Sequence, residues 1–291
     1  MASWVQNTDV PYAFTQGVRE QLLYNDKLYI VGGLGADGSS TKIMSYDTVS
    51  GSYDQSLTNM PKYQYYTTGA ISGSTIFVLG GYFGGAQATC FKYNILTDTW
   101  SSIHDMPTTK WAISAARLGN YIYVFGGVSY SAIYKYDIAG DSWTTQTQTH
   151  SDHSYSAVTV GNYIYLLGGH NNPNGVKKYD PINDTWISLS TTIPGLGLEE
   201  GNVFVHGSNI YVLGGTKARK QFLQYNTVSN GWTTLVSLPY DKAAAGGGIT
   251  ESGDIYIMGG ANSELSNLEY TLPPTTNPGG DINPYKTRIQ G

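Results

Sequence analysis

The chain has 291 residues, a formal net charge of −5 and only 13% charged residues, against about a quarter in average usage. It has no basic stripe to meet a phosphate backbone and no apolar run near the ~20 residues of a membrane span. Its one cysteine, Cys90, cannot form an internal disulfide. Nucleic-acid partners, a membrane span and a disulfide scaffold are therefore excluded as expectations, and the uncharged start Met1-Ala2-Ser3-Trp4 does not read as a signal peptide.

In chain order the elements repeat. The first apolar run, Leu28-Tyr29-Ile30-Val31, ends in Gly32-Gly33, and the same ending recurs at Gly80-Gly81, Gly126-Gly127, Gly168-Gly169, Gly214-Gly215 and Gly259-Gly260. The first glycines are 48, 46, 42, 46 and 45 residues apart, which makes the chain an array of one supersecondary unit. The runs are rich in β-branched and aromatic residues and read as strands, with the glycines marking close backbone approach or a bend. Ten to fourteen residues after each first glycine stands a tyrosine: Tyr46, Tyr93, Tyr136, Tyr179, Tyr225 and Tyr270. Asp or Asn follows five of them and signals a turn. Seven residues past the tyrosine comes Tyr53, Trp100, Trp143, Trp186 or Trp232, on the far strand of that hairpin. A second turn, such as Gly119-Asn120 or Gly161-Asn162, precedes each run, which gives four strands per repeat, a to d.

Four strands in ~45 residues without helical periodicity describe a β-propeller blade. The Gly-Gly, Tyr and Trp marks at these spacings resemble the kelch family over residues 1 to about 270. The resemblance implies an all-β, six-bladed propeller of four antiparallel strands per blade. No aromatic follows Tyr270 at the expected interval, while Trp4 precedes Pro11 by the same seven residues that separate Trp100 from Pro107. Residues 2–8 are therefore expected to supply strand d of the last blade. That divides the chain into a propeller, 1–270, and a Pro/Gly-rich extended arm, 271–291, available for homo- or hetero-assembly.

Candidate chemistry is sparse. Gly33-Leu34-Gly35-Ala36-Asp37-Gly38 has the form of a dinucleotide fingerprint, but a strand pattern follows where a helix should receive the pyrophosphate. His150 and His153 have metal-like spacing without further ligands nearby, and Glu199-Glu200 are neighbours expected to point apart along a strand. The kelch resemblance brings in copper oxidases, which need a tyrosine-linked cysteine and paired histidines. Cys90 falls on a strand and the five histidines are dispersed, so no catalytic set, metal or cofactor is assigned. Intracellular adaptors of the family carry arginines at the start of strand a. The corresponding residues here are Gln16, Gln64, Lys110, Asp152, Glu199 and Lys242, a mixed ring.

The d-to-a connections and b-to-c loops of such blades emerge on one face. That rule collects Tyr65, Tyr82, Phe83, Lys110, Trp111, Tyr130, His153, His170, Asn171, Glu199 and Arg219 as the candidate binding face. Aromatic rings with amides and few charges suit sugar stacking or protein docking. The chain thus reads as a non-enzymatic binding or assembly module for a glycan or protein partner, and its polar, Tyr-rich composition points to an extracellular or virion assembly. The alternative is a carbohydrate-active enzyme, such as a sugar mutarotase, at the channel mouth. It would use Glu199 or Glu200 with Lys110, Arg19 or His153.

Overall fold

A computed structural model describes residues 3–35, 41–128, 131–261 and 264–273. Six antiparallel four-stranded sheets form the propeller. Blade 1 has strands Leu23–Tyr24, Lys27–Val31, Ile43–Asp47 and Ser52–Asp54, and blade 2 has Thr68–Ser72, Thr75–Tyr82, Ala86–Asn94 and Thr99–Ile103. Blade 3 comprises Ser114–Leu118, Tyr121–Phe125, Ala132–Asp137 and Ser142–Thr149; blade 4 comprises Ser156–Val160, Tyr163–Leu167, Val176–Asp180 and Thr185–Ile187. Blade 5 runs Asn202–His206, Asn209–Leu213, Phe222–Asn226 and Gly231–Thr234. Blade 6 runs Gly246–Ile249, Asp254–Met258 and Asn267–Thr271, and its strand d is Trp4–Gln6 from the other end of the chain. Trp4 lies opposite Tyr270, the register that Trp100 keeps with Tyr93 and Trp143 with Tyr136.

Each mark of the repeat has a bonding role. Tyr93, Tyr136, Tyr179 and Tyr225 are fully buried and donate their hydroxyls to Asp98, Asp141, Asp184 and Asn230, acceptors held in the left-handed region by the turn between c and d. Three of these carboxylates then reach the preceding blade, where they accept from the backbone amides of Thr58, His104 and Thr147. The tryptophans bind the same seam: Trp100 Nε1 donates to Thr58 O at 2.6 Å, and Trp143 Nε1 to His104 O at 2.8 Å. The Gly-Gly pairs accommodate backbone. A Cβ on Gly80 would stand 2.8 Å from Lys110 O, and Gly81 N–H donates to that same oxygen at 2.8 Å. Six buried apolar clusters fill the six seams between successive blades, so the core is a ring of interfaces.

Two features depart from the repeat and shape the axis. One residue at the entry to each strand a lies at positive φ: Gln16, Tyr66, Ala112, Ser154, Glu200 and Ala244. Each donates its N–H to the carbonyl of the one before it, from Tyr66 to Gln16 O round to Gln16 N–H on Ala244 O, over 2.7 to 3.2 Å. These six bonds form a closed backbone circle at the loop end of the channel. The second departure is a bulge in blade 1. Val18 N–H bonds Val31 O and Tyr29 N–H bonds Leu22 O, so Arg19-Glu20-Gln21 stand opposite Ile30 alone. Such bulges re-aim side chains. Here the three residues turn into the channel and bond every other blade: Glu20 to blades 2 and 3, Arg19 to blades 4 and 5, and Gln21 to blade 6.

No helix among the described residues is long and apolar enough to cross a membrane. Leu34–Gly35 forms a short strand pair with Phe14–Thr15, and Ile43–Asp47 is a strand, as the following pattern requires. Most of the 271–291 arm, from residue 274, lies outside the described residues.

Candidate functional site: the loop face

Antiparallel order places all d-to-a connections and b-to-c loops on one face, and the structure divides that face into two sectors. Over blades 2 and 3 an unbroken set of rings runs across the surface. Phe83 meets Tyr63 edge-on at 5.1 Å between centroids, Tyr63 meets Tyr65 at 5.8 Å, Tyr65 meets Tyr82 at 5.5 Å, and Tyr82 meets Trp111 at 5.2 Å. Tyr66 joins Tyr65 and Trp111 from the axial side, at 5.4 and 5.3 Å. These rings are half-buried, and Phe83, 49% exposed, caps the outer end. Tyr82 and Tyr65 also exchange backbone hydrogen bonds, which fixes the loop after strand b against the loop before strand a.

Over blades 4 and 5 the face is polar. The rings of His153 and His170 stack at 4.7 Å and 16°. His170 Nδ1 lies 2.6 Å from Glu199 Oε1, and Lys217 Nζ lies 3.3 Å from Glu199 Oε2, which also accepts from Thr216 Oγ1 at 3.1 Å. Burial resists ionisation of Glu199, but the bonds from His170, Lys217 and Thr216 outweigh it and hold its carboxyl below the usual range. Desolvation, and then the neighbouring His170, hold His153 below the ordinary imidazole range. Asp152 anchors the sector from beneath, accepting from the amides of His153, Asn171 and Asn172 and from Asn171 Nδ2. Arg219 lies further out, 3.7 Å from Asp241.

The expected face thus divides. Tyr65, Tyr82, Phe83 and Trp111 converge in one sector, and His153, His170, Asn171 and Glu199 in the other; Tyr130 lies outside the described residues. Lys110 corrects the expectation, for it is fully buried. Its ammonium donates to Gly126 O at 2.7 Å and Ala132 O at 2.9 Å, pinning both ends of its own b-to-c loop from below. Lys242 does the same in blade 6 with Gly259 O and Ser266 O. Desolvation brings both amines down to about 8. The expected mixed ring also dissolves. Gln64, Lys110, Asp152 and Lys242 are buried two residues ahead of the backbone circle, and only Gln16 belongs to that circle.

Glu199 and Glu200 do point apart. The cause is the left-handed turn at Glu200 rather than a strand pleat, since strand a starts at Asn202. Glu199 faces His170, while Glu200 lines a cavity of about 10 Å³ at the axis together with Gln16, Arg19 and Tyr66. Of the residues expected for the catalytic alternative, Glu200 and Arg19 share this cavity, whose volume of about 10 Å³ is too small for a sugar, while Glu199 faces His170 and Lys110 is buried beneath its own loop. His150 is buried against Tyr155 and Trp186, and burial brings its imidazole down to about 4. Cys90 is buried too, its thiol pushed up to about 12 by desolvation. Among the described residues no group of three or more His, Cys, Asp or Glu could hold a metal ion. Tyr66 and Thr216 escaped the sequence reading, Tyr66 because its position, shared with Gln16, Ala112, Ser154, Glu200 and Ala244, gives no compositional signal.

Comparison with known proteins agrees with this architecture. The family model described as the KLHDC2/KLHL20/DRC7 Kelch-repeats domain matches residues 20–215. Kelch-like protein 23 of Pongo abelii is 26% identical over 211 residues, covering 65% of this chain and 36% of the relative. Kelch-like protein terF of Aspergillus terreus is 26% identical over 219 residues, covering 70% of this chain and 40% of the relative. Kelch-like protein 25 of Xenopus tropicalis is 29% identical over 126 residues, covering 42% of this chain and 21% of the relative. The chain thus spans well under half the length of these curated relatives. With six blades, the Gly-Gly, Tyr and Trp bonding scheme and the family match in hand, the chain belongs to the kelch-repeat family of β-propellers.

Proposed function

We propose that this propeller is a protein-binding module and that its partner docks on the loop face across the aromatic sector of blades 2 and 3. The observation that carries the reading is the continuous run from Phe83 through Tyr63, Tyr65 and Tyr82 to Trp111. Rigid half-exposed rings offer large contact area at low entropic cost, which is the composition of binding hot spots. The polar His170–Glu199–Lys217 sector beside it supplies charged hydrogen-bonding groups for orientation. The test is a screen of the purified chain on peptide and glycan arrays, repeated with Phe83→Ser/Trp111→Ser. The double variant is expected to weaken peptide binding by about 2 kcal/mol or more, roughly thirtyfold, while remaining folded with a melting temperature lowered by loss of the half-buried Trp111 indole. Unchanged binding by the variant would refute the docking site, and hits confined to the glycan array would replace a protein ligand with a sugar stacked on the same rings.

The low charge content supports an extracellular or virion assembly as the setting, with residues 271–291 as its anchor. Removing 271–291 tests that anchor through the assembly state of the remaining propeller. The carbohydrate-enzyme alternative rests on the linked His170, Glu199 and Lys217. Proton exchange on free sugars, compared with Glu199→Gln, tests it.

A further inference from the structure

The axial channel is closed on the loop face and open on the other. The backbone circle and the Arg19–Gln21 bulge block it at the loop end, and below them lies a cavity of about 460 Å³ reaching the a-to-b turns at Gly207 and Glu251. That volume falls within the range of small-ligand pockets. Its walls are the strands a of the blades: Ala70, Ala116, Ala157, Val158 and Ile249 supply an apolar lining, and Arg117, Thr159, His206 and Glu251 add polar and charged groups. At the blind end sits one carboxylate, Glu20. Its Oε1 accepts from Thr68 Oγ1 at 2.6 Å, Ser114 Oγ at 2.9 Å and Ala115 N at 3.3 Å, while Oε2 accepts only from Gly69 N at 3.2 Å. No ion pair to Glu20 forms among the described residues. Its neighbour Arg19 turns the other way, donating to Tyr155 O and lining the small cavity at the loop end.

We infer that this cavity is a second binding site, opposite the loop face, for a primary alkylammonium group on a slender aliphatic stem. The warrant is the combination of a carboxylate that lines the cavity, oriented by four donors of which Oε2 takes only one, and apolar wall residues that offer an aliphatic stem contact. A carboxylate held this way needs no reorganisation to meet a cation, and a charge-assisted bond is among the stronger polar contacts. The bulge that places Glu20 here is the one strand a that breaks the repeat's register. A free amine and a lysine side chain on a partner peptide share this chemistry.

Isothermal titration with hexylamine tests the site, with hexan-1-ol as the uncharged control and Nα-acetyl-lysine amide as the peptide-borne form. Hexylamine is expected to bind at least about tenfold more tightly than hexan-1-ol, the worth of one charge-assisted bond, and Glu20→Gln is expected to abolish that margin. The tighter of the two amines identifies the source. Because Glu20 also ties blades 2 and 3 together, Val158→Phe serves as a second variant: it narrows the wall without touching the carboxylate and should weaken hexylamine by a similar factor. Equal binding of amine and alcohol, absence of binding by either, or unaltered hexylamine affinity in a folded Glu20→Gln or Val158→Phe chain would overturn the proposal.

Discussion

Removing the indole of Trp4 tests how the ring is held closed. The side chain is half-buried; its ring lies 5.2 Å from Phe222 and 5.2 Å from Tyr270, and Nε1–H donates to Val236 O at 2.9 Å. A fully buried Trp→Ala change costs about 3–5 kcal/mol, and half-exposure reduces the transfer part. The two aromatic contacts contribute about 0.5–1.5 kcal/mol each and the hydrogen bond about 1. Trp4→Ala should therefore cost about 2–3 kcal/mol, and at about 2–4 °C per kcal/mol the melting temperature should fall by roughly 5–10 °C. Deleting residues 1–8 should do more, because Trp4, Val5 and Gln6 also form the ladder with Asn267–Thr271. An uncovered edge strand invites pairing with other chains, so the truncated protein should associate with rising concentration. The assays are scanning calorimetry and light scattering. A truncated chain that melts with the full chain and stays monomeric would refute closure by the N-terminal strand.

Gly80→Ala should destabilise by about 2–4 kcal/mol, combining a left-handed conformation at φ +58° with a Cβ placed 2.8 Å from Lys110 O, and chemical denaturation measures it. The buried lysines set a pH dependence. Lys110 and Lys242 titrate at about 8 in the folded protein and about 10.4 unfolded. Between those values the unfolded chain binds more protons, so stability rises with pH, by up to ~1 kcal/mol per pH unit for each lysine. Melting at pH 8 and at pH 9.5 should show the rise, reduced but not cancelled by Cys90, whose buried thiol keeps its proton in the fold above its unfolded value of about 8.5, and Lys110→Met should remove more than half of it; a flat profile would contradict it. The window stops below 10 because burial raises the hydroxyls of Tyr93 and Tyr136, and they oppose the trend once the unfolded tyrosines ionise.

Much of this was legible in the sequence because repeat bonds demand residue types. A tyrosine that must donate to an Asx, an indole that must donate across a seam, and a Gly-Gly pair lying under a neighbouring loop's carbonyl cannot be exchanged freely, so they recur at fixed intervals. The axis was illegible for the opposite reason. The circle through Gln16, Tyr66, Ala112, Ser154, Glu200 and Ala244 is made of backbone N–H and C=O, which every non-proline residue carries. The Arg19–Gln21 bulge adds two residues to one strand while leaving the apolar Val18 and Leu22 on either side, so the pattern reads straight through it. Lys110 misled because its type signals a surface, whereas its partners are the carbonyls at the two ends of a loop.

The closed circle also decides how the two faces relate. A left-handed non-glycine residue costs about 1 kcal/mol or more, and here six such residues are each offset by a short inter-blade bond, which ties all six blades at one level. A ligand on the loop face therefore meets a continuous floor and cannot thread the channel, while one entering from the turns ends at Glu20. Substitutions at Phe83 or Trp111 should leave channel affinity unchanged, and Val158→Phe should leave loop-face binding unchanged, because additivity is expected for separated sites with no shared partner.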